Sequence, residues 1–253
     1  MRKFLAILLV SAVVIVGAYT VHQHSHTANT SPTTKSSTQT PTEKSGSTFD
    51  KHLYSTTDPT SIWVVVNKQH SLNPKDYVPK DLVFPNVPLR VPGNESMQLR
   101  QVTATAMEEM FAAAKKDGIE LMLSSGYRSY TYQVNLYNGY VASQGQATAD
   151  TQSARPGYSE HQTGLAADVE PASKNCEVEE CFGDTPEGTW VAANAYKYGF
   201  IVRYTTGNES VTGYEPEPWH IRYVGTELSN ELHRTNTTTL EQFFGIKGGT
   251  VYN

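Results

Sequence analysis

The sequence is short of cationic charge, of cysteine and of the motifs that mark serine hydrolases. Across 253 residues, 20 Lys and Arg stand against 25 Asp and Glu, for a net charge of -5. No basic field is available to hold a polyanion, which excludes nucleic acid as a partner. Neither of the two cysteines stands directly after the apolar N-terminal run, so a lipid-modified anchor is not indicated. A thiol nucleophile is also excluded, because Glu177, Glu179 and Glu180 beside Cys176 and Cys181 would raise rather than lower the thiol pKa. No Lys has a Ser three residues before it, as Ser-x-x-Lys chemistry requires. The run Gly157-Tyr158-Ser159-Glu160-His161 lacks the last Gly of a nucleophile elbow.

What remains divides into three parts. Arg2 and Lys3 precede an uncharged run from Phe4 to Val21, of about the length that spans a bilayer, and residues 1–21 read as a signal peptide or membrane anchor. The basic flank places the chain after Val21 outside the cell. Residues 22–48 are Ser, Thr, Pro, Gln and Lys with almost nothing to bury, the composition of a flexible linker. His22, His24 and His26 fall in this tract and carry no assigned role. Residues 49–253 are expected to form one domain, since 38% hydrophobic and 10% aromatic residues supply one sizeable core. Cys176 and Cys181 are expected to pair as a disulfide in an exported domain. A monomer is expected.

Within that domain, Trp63-Val64-Val65-Val66-Asn67 predicts a short apolar strand, and Leu72 to Pro79 a Pro-stiffened extended crossing. Ser96 predicts a helix cap, with Leu99, Val102, Ala106, Met110, Ala113 and Ala114 at helical spacing until Gly118. Ile119 to Leu123 reads as a strand ending in Ser124-Ser125-Gly126-Tyr127-Arg128-Ser129. Helices are expected over Thr131 to Ser143, Thr189 to Tyr198 and Glu227 to Arg234, and strands over Leu165 to Val169, Phe200 to Arg203 and His220 to Tyr223. The elements mix without regular alternation, so the expected class is α+β, a small antiparallel sheet flanked by helices.

Two stretches concentrate the chemistry, Ser159-Glu160-His161-Gln162-Thr163-Gly164-Leu165-Ala166-Ala167-Asp168 and Glu217-Pro218-Trp219-His220. They supply two imidazoles and nearby carboxylates, as a catalytic zinc needs: three protein ligands, an open position for water, and a base beside it. Glu217 and His220, three residues apart, cannot point the same way along one flat strand, so a twist or bulge is required there. By spacing alone Glu160, Glu170, Glu215 and Glu217 all remain possible carboxylates, with Glu217 first. Arg128 at a strand end suits recognition of a free carboxylate, which points to an exopeptidase.

The blocks Ser124-Ser125-Gly126-Tyr127-Arg128-Ser129, Ser159-x-His161-x-x-Gly164-x-Ala166-x-Asp168 and Glu217-x-Trp219-His220 resemble, in that order, the zinc D-Ala-D-Ala carboxypeptidases and L,D-carboxypeptidases of the VanY/LdcB type. The resemblance runs from about Trp63 to Tyr223; the acidic Cys-containing insert and the tail beyond Phe244 depart from it. It implies one zinc ion held by His161, Asp168 and His220, Glu217 as catalytic base, and Arg128, Gln133 and Ser159 holding the substrate's C-terminal end. The implied reaction is removal of the C-terminal D-alanine from peptidoglycan stem peptides at the bacterial cell wall. The alternatives are an L,D-carboxypeptidase acting on tetrapeptide stems, and a peptidoglycan-binding module without activity.

Overall fold

A computed structural model describes residues 49–253. The expected membrane segment and linker lie outside the described residues, among which no helix is long and apolar enough to cross a membrane. Strand β1 (Leu82–Val83) pairs antiparallel with β2 (Leu99–Arg100), and helix α1 (Gln101–Lys116) follows at once. Next come β3 (Leu121–Ser125), α2 (Tyr130–Gln144), α3 (Gln146–Gln152) and β4 (Ala166–Pro171). Helix α4 (Pro186–Asn194) leads to β5 (Phe200–Tyr204), and the short α5 (Glu209–Thr212) to β6 (Glu217–Tyr223). Helices α6 (Thr226–Thr235) and α7 (Leu240–Phe244) follow. The four longer strands form one antiparallel sheet in the order β3-β4-β6-β5, so the class is the expected α+β.

Side chains alternate across a strand, and this sorts β4 and β6 into two chemistries. Ala167, Val169, Ile221 and Tyr223 enter the main core, where Met107, Met110 and Ala114 of α1 meet Leu121, Leu123 and Phe200. Ala166, Asp168, Glu170, His220 and Arg222 fall on the opposite face. Burying each large apolar side chain of the core stabilises the sheet by roughly 1.5–3 kcal/mol, so the polar face is carried on a firmly packed support. A second cluster joins Trp63 and Val65 to Val224, Leu228, Leu232, Leu240 and Phe243.

Two sequence expectations need correction. The first helix starts at Gln101 rather than after Ser96, because the carbonyls of Ser96 and Gln98 accept from the backbone of Gly126 (2.5 Å) and Tyr127 (2.7 Å). Those carbonyls are therefore spent outside any helix, and Asn94 caps only a 3-10 turn over Glu95–Met97. The buried stripe is Thr103, Ala104, Ala106, Met107, Met110, Phe111 and Ala114, which keeps the expected Ala106, Met110 and Ala114 but leaves Val102 exposed. Trp63 to Val66 form no strand; they run between the two clusters, Val64 and Val66 facing one and Trp63 and Val65 the other. Helices α3, α5 and α7 and the β1–β2 pair are additions to the sequence reading. Cys176 and Cys181 form a disulfide with their Cα atoms 5.5 Å apart.

Candidate active site

Antiparallel pairing brings the two stretches together. Asp168 of β4 stands directly opposite His220 of β6, an arrangement that sets Cβ atoms about 5 Å apart. His161 comes from a 3-10 turn over Glu160–Thr163 that ends on Gly164 at φ 66°. That glycine is needed, since a Cβ there would come within 2.9 Å of Arg100 Cγ. The candidate ligand atoms of His161, Asp168 and His220 lie within 4.8 Å of one another, and all three residues are buried.

Each candidate ligand has a partner behind it. His161 Nδ1 donates to Gly126 O at 2.7 Å, which leaves Nε2 bare and 3.4 Å from Asp168 Oδ1. The approach is close enough that a Cβ on Gly126 would lie 2.4 Å from Gln98 O. His220 turns Nδ1 to Asp168 Oδ1 at 3.4 Å and Nε2 to Glu160 Oε2, also at 3.4 Å. Glu160 Oε1 in turn accepts from Arg203 Nε and Arg222 Nη1, each at 2.9 Å. Burial would raise the Glu160 carboxyl, but Arg203 and Arg222 outweigh it and hold it far below the usual carboxylate range. The second oxygen of Asp168 accepts from Arg128 Nη2.

Charge is distributed unequally over the two imidazoles. Burial, with Arg128 adding to it, lowers His161 to about 4 despite the opposing Asp168. Burial acts the same way on His220, yet the carboxylates of Asp168 and Glu160, each 3.4 Å away, outweigh it and raise that ring to about 9. An anionic surround that holds a proton there also suits a divalent cation. The donor set of two imidazoles and one carboxylate, with His161 held by Gly126 O and Asp168 by Arg128, matches the chemistry of zinc. Asp168 Oδ1, which faces both rings, is buried and takes no hydrogen bond among the described residues.

Glu217 lies beside this group, its Oε2 3.4 Å from His220 Nδ1. The β5–β6 ladder is irregular between Val202/Ile221 and Tyr204/Glu217. This bulge lets Glu217 and His220 share a side despite their spacing. Burial raises Glu217 to about 7, with His220 and Arg128 opposing and Asp168 and Glu160 adding. A carboxylate poised near neutrality can both take and return a proton.

The group opens into a cavity of about 630 Å³. Arg128, Gln133 and Ser159 all line it. Arg128 Nε donates to Ser125 Oγ at 3.0 Å and Nη2 to Asp168, which leaves Nη1 and the second hydrogen of Nη2 without a partner among the described residues. Gln133 Nε2 donates to Ser153 Oγ (3.2 Å) and Ala154 O (2.7 Å), bracing that loop. Of the other candidate carboxylates, Glu170 accepts from Arg90 Nη1 at 2.9 Å at the far end of β4, and Glu215 lines the cavity without touching the imidazoles. Sequence reasoning missed Arg203 and Arg222, although an Arg inside the apolar runs Phe200-Ile201-Val202-Arg203 and His220-Ile221-Arg222-Tyr223 signals a buried charge pair.

Comparison with known proteins bears on the family. A match to the family described as VanY, D-alanyl-D-alanine carboxypeptidase, covers residues 96–226. The chain is 46% identical over 190 residues to the putative carboxypeptidase YodJ of Bacillus subtilis, covering 74% of this chain and 68% of that protein. Among solved structures, the LD-carboxypeptidase LdcB is 45% identical with a TM-score of 0.70, over 75% of this chain and 89% of that one. A mutant of the vancomycin resistance D,D-pentapeptidase VanY, solved in complex with Zn(II), is 29% identical with a TM-score of 0.60, over 72% and 98%. With half of its length inside the family match and nearly half its residues shared with YodJ across most of the domain, the chain belongs to the VanY family and is a metallocarboxypeptidase of the VanY/LdcB type.

Proposed function

We propose that this chain binds one zinc ion through His161, Asp168 and His220 and removes the C-terminal D-alanine from peptidoglycan stem peptides, with Glu217 as base. The observation that carries the reading is the convergence of three buried ligand atoms, backed by Gly126, Glu160 and Arg128, with a carboxyl near neutrality beside them. Zinc bound there would supply a Lewis acid and a water acidified from 15.7 to about 7, worth on the order of 12 kcal/mol. Glu217 takes the proton of the attacking water and returns it to the departing amine. Arg128 Nη1 and the Ser159 hydroxyl receive the substrate's terminal carboxylate, while Gln133 holds the loop that forms the adjoining wall. Residues 1–21 would export or anchor the chain and residues 22–48 would tether residues 49–253 at the cell wall.

The greater likeness to LdcB favours a second reading of the same site, in which the D-alanine leaves a tetrapeptide rather than a pentapeptide stem. Incubation with defined tetra- and pentapeptides, with product identification, separates the two. Thorough chelation is expected to abolish D-alanine release and zinc to restore it; full activity without metal would refute the proposal, and zinc binding without turnover would indicate a binding module.

Arg128→Ala is expected to lower kcat/KM on free-carboxylate substrates by about 10²-fold, the worth of a charged hydrogen bond lost in a buried site. A peptide with an amidated C-terminus, already a poor substrate, should lose little more. Equal cleavage of free and amidated peptides by the unaltered enzyme would remove this role from Arg128.

A further inference from the structure

The tail beyond α7 has no counterpart in the motifs that mark the family, yet it is fastened closely. Ile246 N donates to Glu241 O (2.9 Å), Gly249 N to Val211 O (2.8 Å) and Asn253 N to Lys68 O (3.1 Å). Side chains reach the tail as well: Asn67 Nδ2 donates to Lys247 O, Gln69 Nε2 to Val251 O, and Asn253 Nδ2 to Gln69 O. The fit depends on glycine, since a Cβ on Gly248 would stand 2.0 Å from Val211 O and one on Gly213 would stand 2.5 Å from Gly249 O.

Tyr252 is where the tail meets the cavity walls. Its hydroxyl accepts from the backbone N–H of Arg155 at 3.1 Å and lies 3.3 Å from the Tyr214 hydroxyl. Its ring packs edge-on to Tyr158 at 5.1 Å and lies 4.3 Å from the Arg155 guanidinium carbon. Lys68, 1% exposed, adds a buried cation that donates to the carbonyls of Asp150 and Gly213 and stands 4.6 Å from the Tyr214 ring centroid. One hydroxyl therefore links two separate walls of the cavity, the segment carrying Ser153, Ala154 and Ser159 and the segment carrying Tyr214 to Glu217. From Tyr214 the packing continues to Tyr204 at 5.0 Å, and from Tyr204 to the His220 ring at 4.8 Å.

We propose that residues 248–253 are a strap that sets the width of the substrate cavity, and that Tyr252 is the positioning residue through which it acts. Tyr252 does not line the cavity; it works by fixing Arg155 and Tyr214 relative to each other. Substrate binding should therefore suffer from its loss while the bond-breaking step does not. The kinetic readout rests on the carboxypeptidase reading; the structural readout does not.

Tyr252→Phe keeps the ring and its packing and removes only the shared hydroxyl. It is expected to raise KM for a stem peptide about fivefold to twentyfold with kcat within about twofold, as loss of one hydrogen bond in a positioning role would do. Amide exchange should quicken about tenfold over residues 150–158 and 213–216 and stay unchanged in β4 and β6. Tyr252→Ala should move both readouts further in the same direction. An unchanged KM with unchanged exchange overturns the strap, and so does a loss of protection spread over the whole domain with kcat falling and KM unchanged, which marks plain structural support. Should the unaltered protein release no D-alanine, the carboxypeptidase reading fails, and the exchange comparison alone decides the strap.

Discussion

Glu217→Gln is expected to cut kcat by about 10²- to 10⁴-fold while bound zinc and KM stay nearly constant. The substitution keeps the shape of the side chain and removes its ability to accept a proton. Glu217 is suited to the task because burial raises it to about 7, against the pull of His220 and Arg128. Metal analysis of the purified variant beside single-turnover kinetics would check the assignment. If the metal leaves with the carboxylate, Glu217 is a ligand, and the roles of Asp168 and Glu217 must be exchanged.

Arg203→Leu is expected to cost about 3–5 kcal/mol of stability, the usual result of removing one member of a buried ion pair. Its guanidinium is fully buried and bridges Glu160 Oε1 at 2.9 Å and Glu241 Oε1 at 2.7 Å. Without it, the buried Glu160 keeps Arg222 as its one guanidinium partner among the described residues, and Glu241 is left with the neutral amide of Asn67 as a side-chain donor. At about 2–4 °C per kcal/mol for a domain of this size, the melting temperature should fall by on the order of 10 °C. Arg234→Leu is the control, because its pair with Glu231 is 71% exposed on the Arg side and such pairs contribute about 0–1 kcal/mol. Equal shifts from the two substitutions would show that burial does not set the worth of these ion pairs. The same network carries a pH signature. Glu160 and Glu241 are held below the ordinary carboxylate value despite burial, so their stabilisation is full above about pH 4.3 and drains away as the pH falls below it.

Much of the site could be read in the sequence because its residues lie in short blocks. His161 and Asp168 are seven apart around small residues, and Glu217 and His220 flank Pro218-Trp219. What the chain does not display is which atom faces which. Glu160 stood among four candidate carboxylates headed by Glu217, and the two differ in which nitrogen of His220 they meet, Nε2 for Glu160 and Nδ1 for Glu217. The early start assigned to α1 has the same origin. Ser96 offers a cap to a local reading, but its carbonyl is claimed by Gly126, thirty positions along the chain. Trp63 to Val66 misled for another reason: alternation indicates two-sided burial, and here the two sides are separate clusters rather than the faces of a sheet.

The direct pairing of Asp168 with His220 has a consequence for how the molecule matures. Slipping β4 past β6 by one residue would swing Asp168 into the apolar core and Val169 toward the imidazoles, since side chains alternate strictly along a strand. A misaligned sheet thus cannot assemble a weakened version of the site. Metal uptake should follow completion of the β4–β6 ladder during refolding and never precede it, which makes a zinc-sensitive dye a stopwatch for the last step of folding.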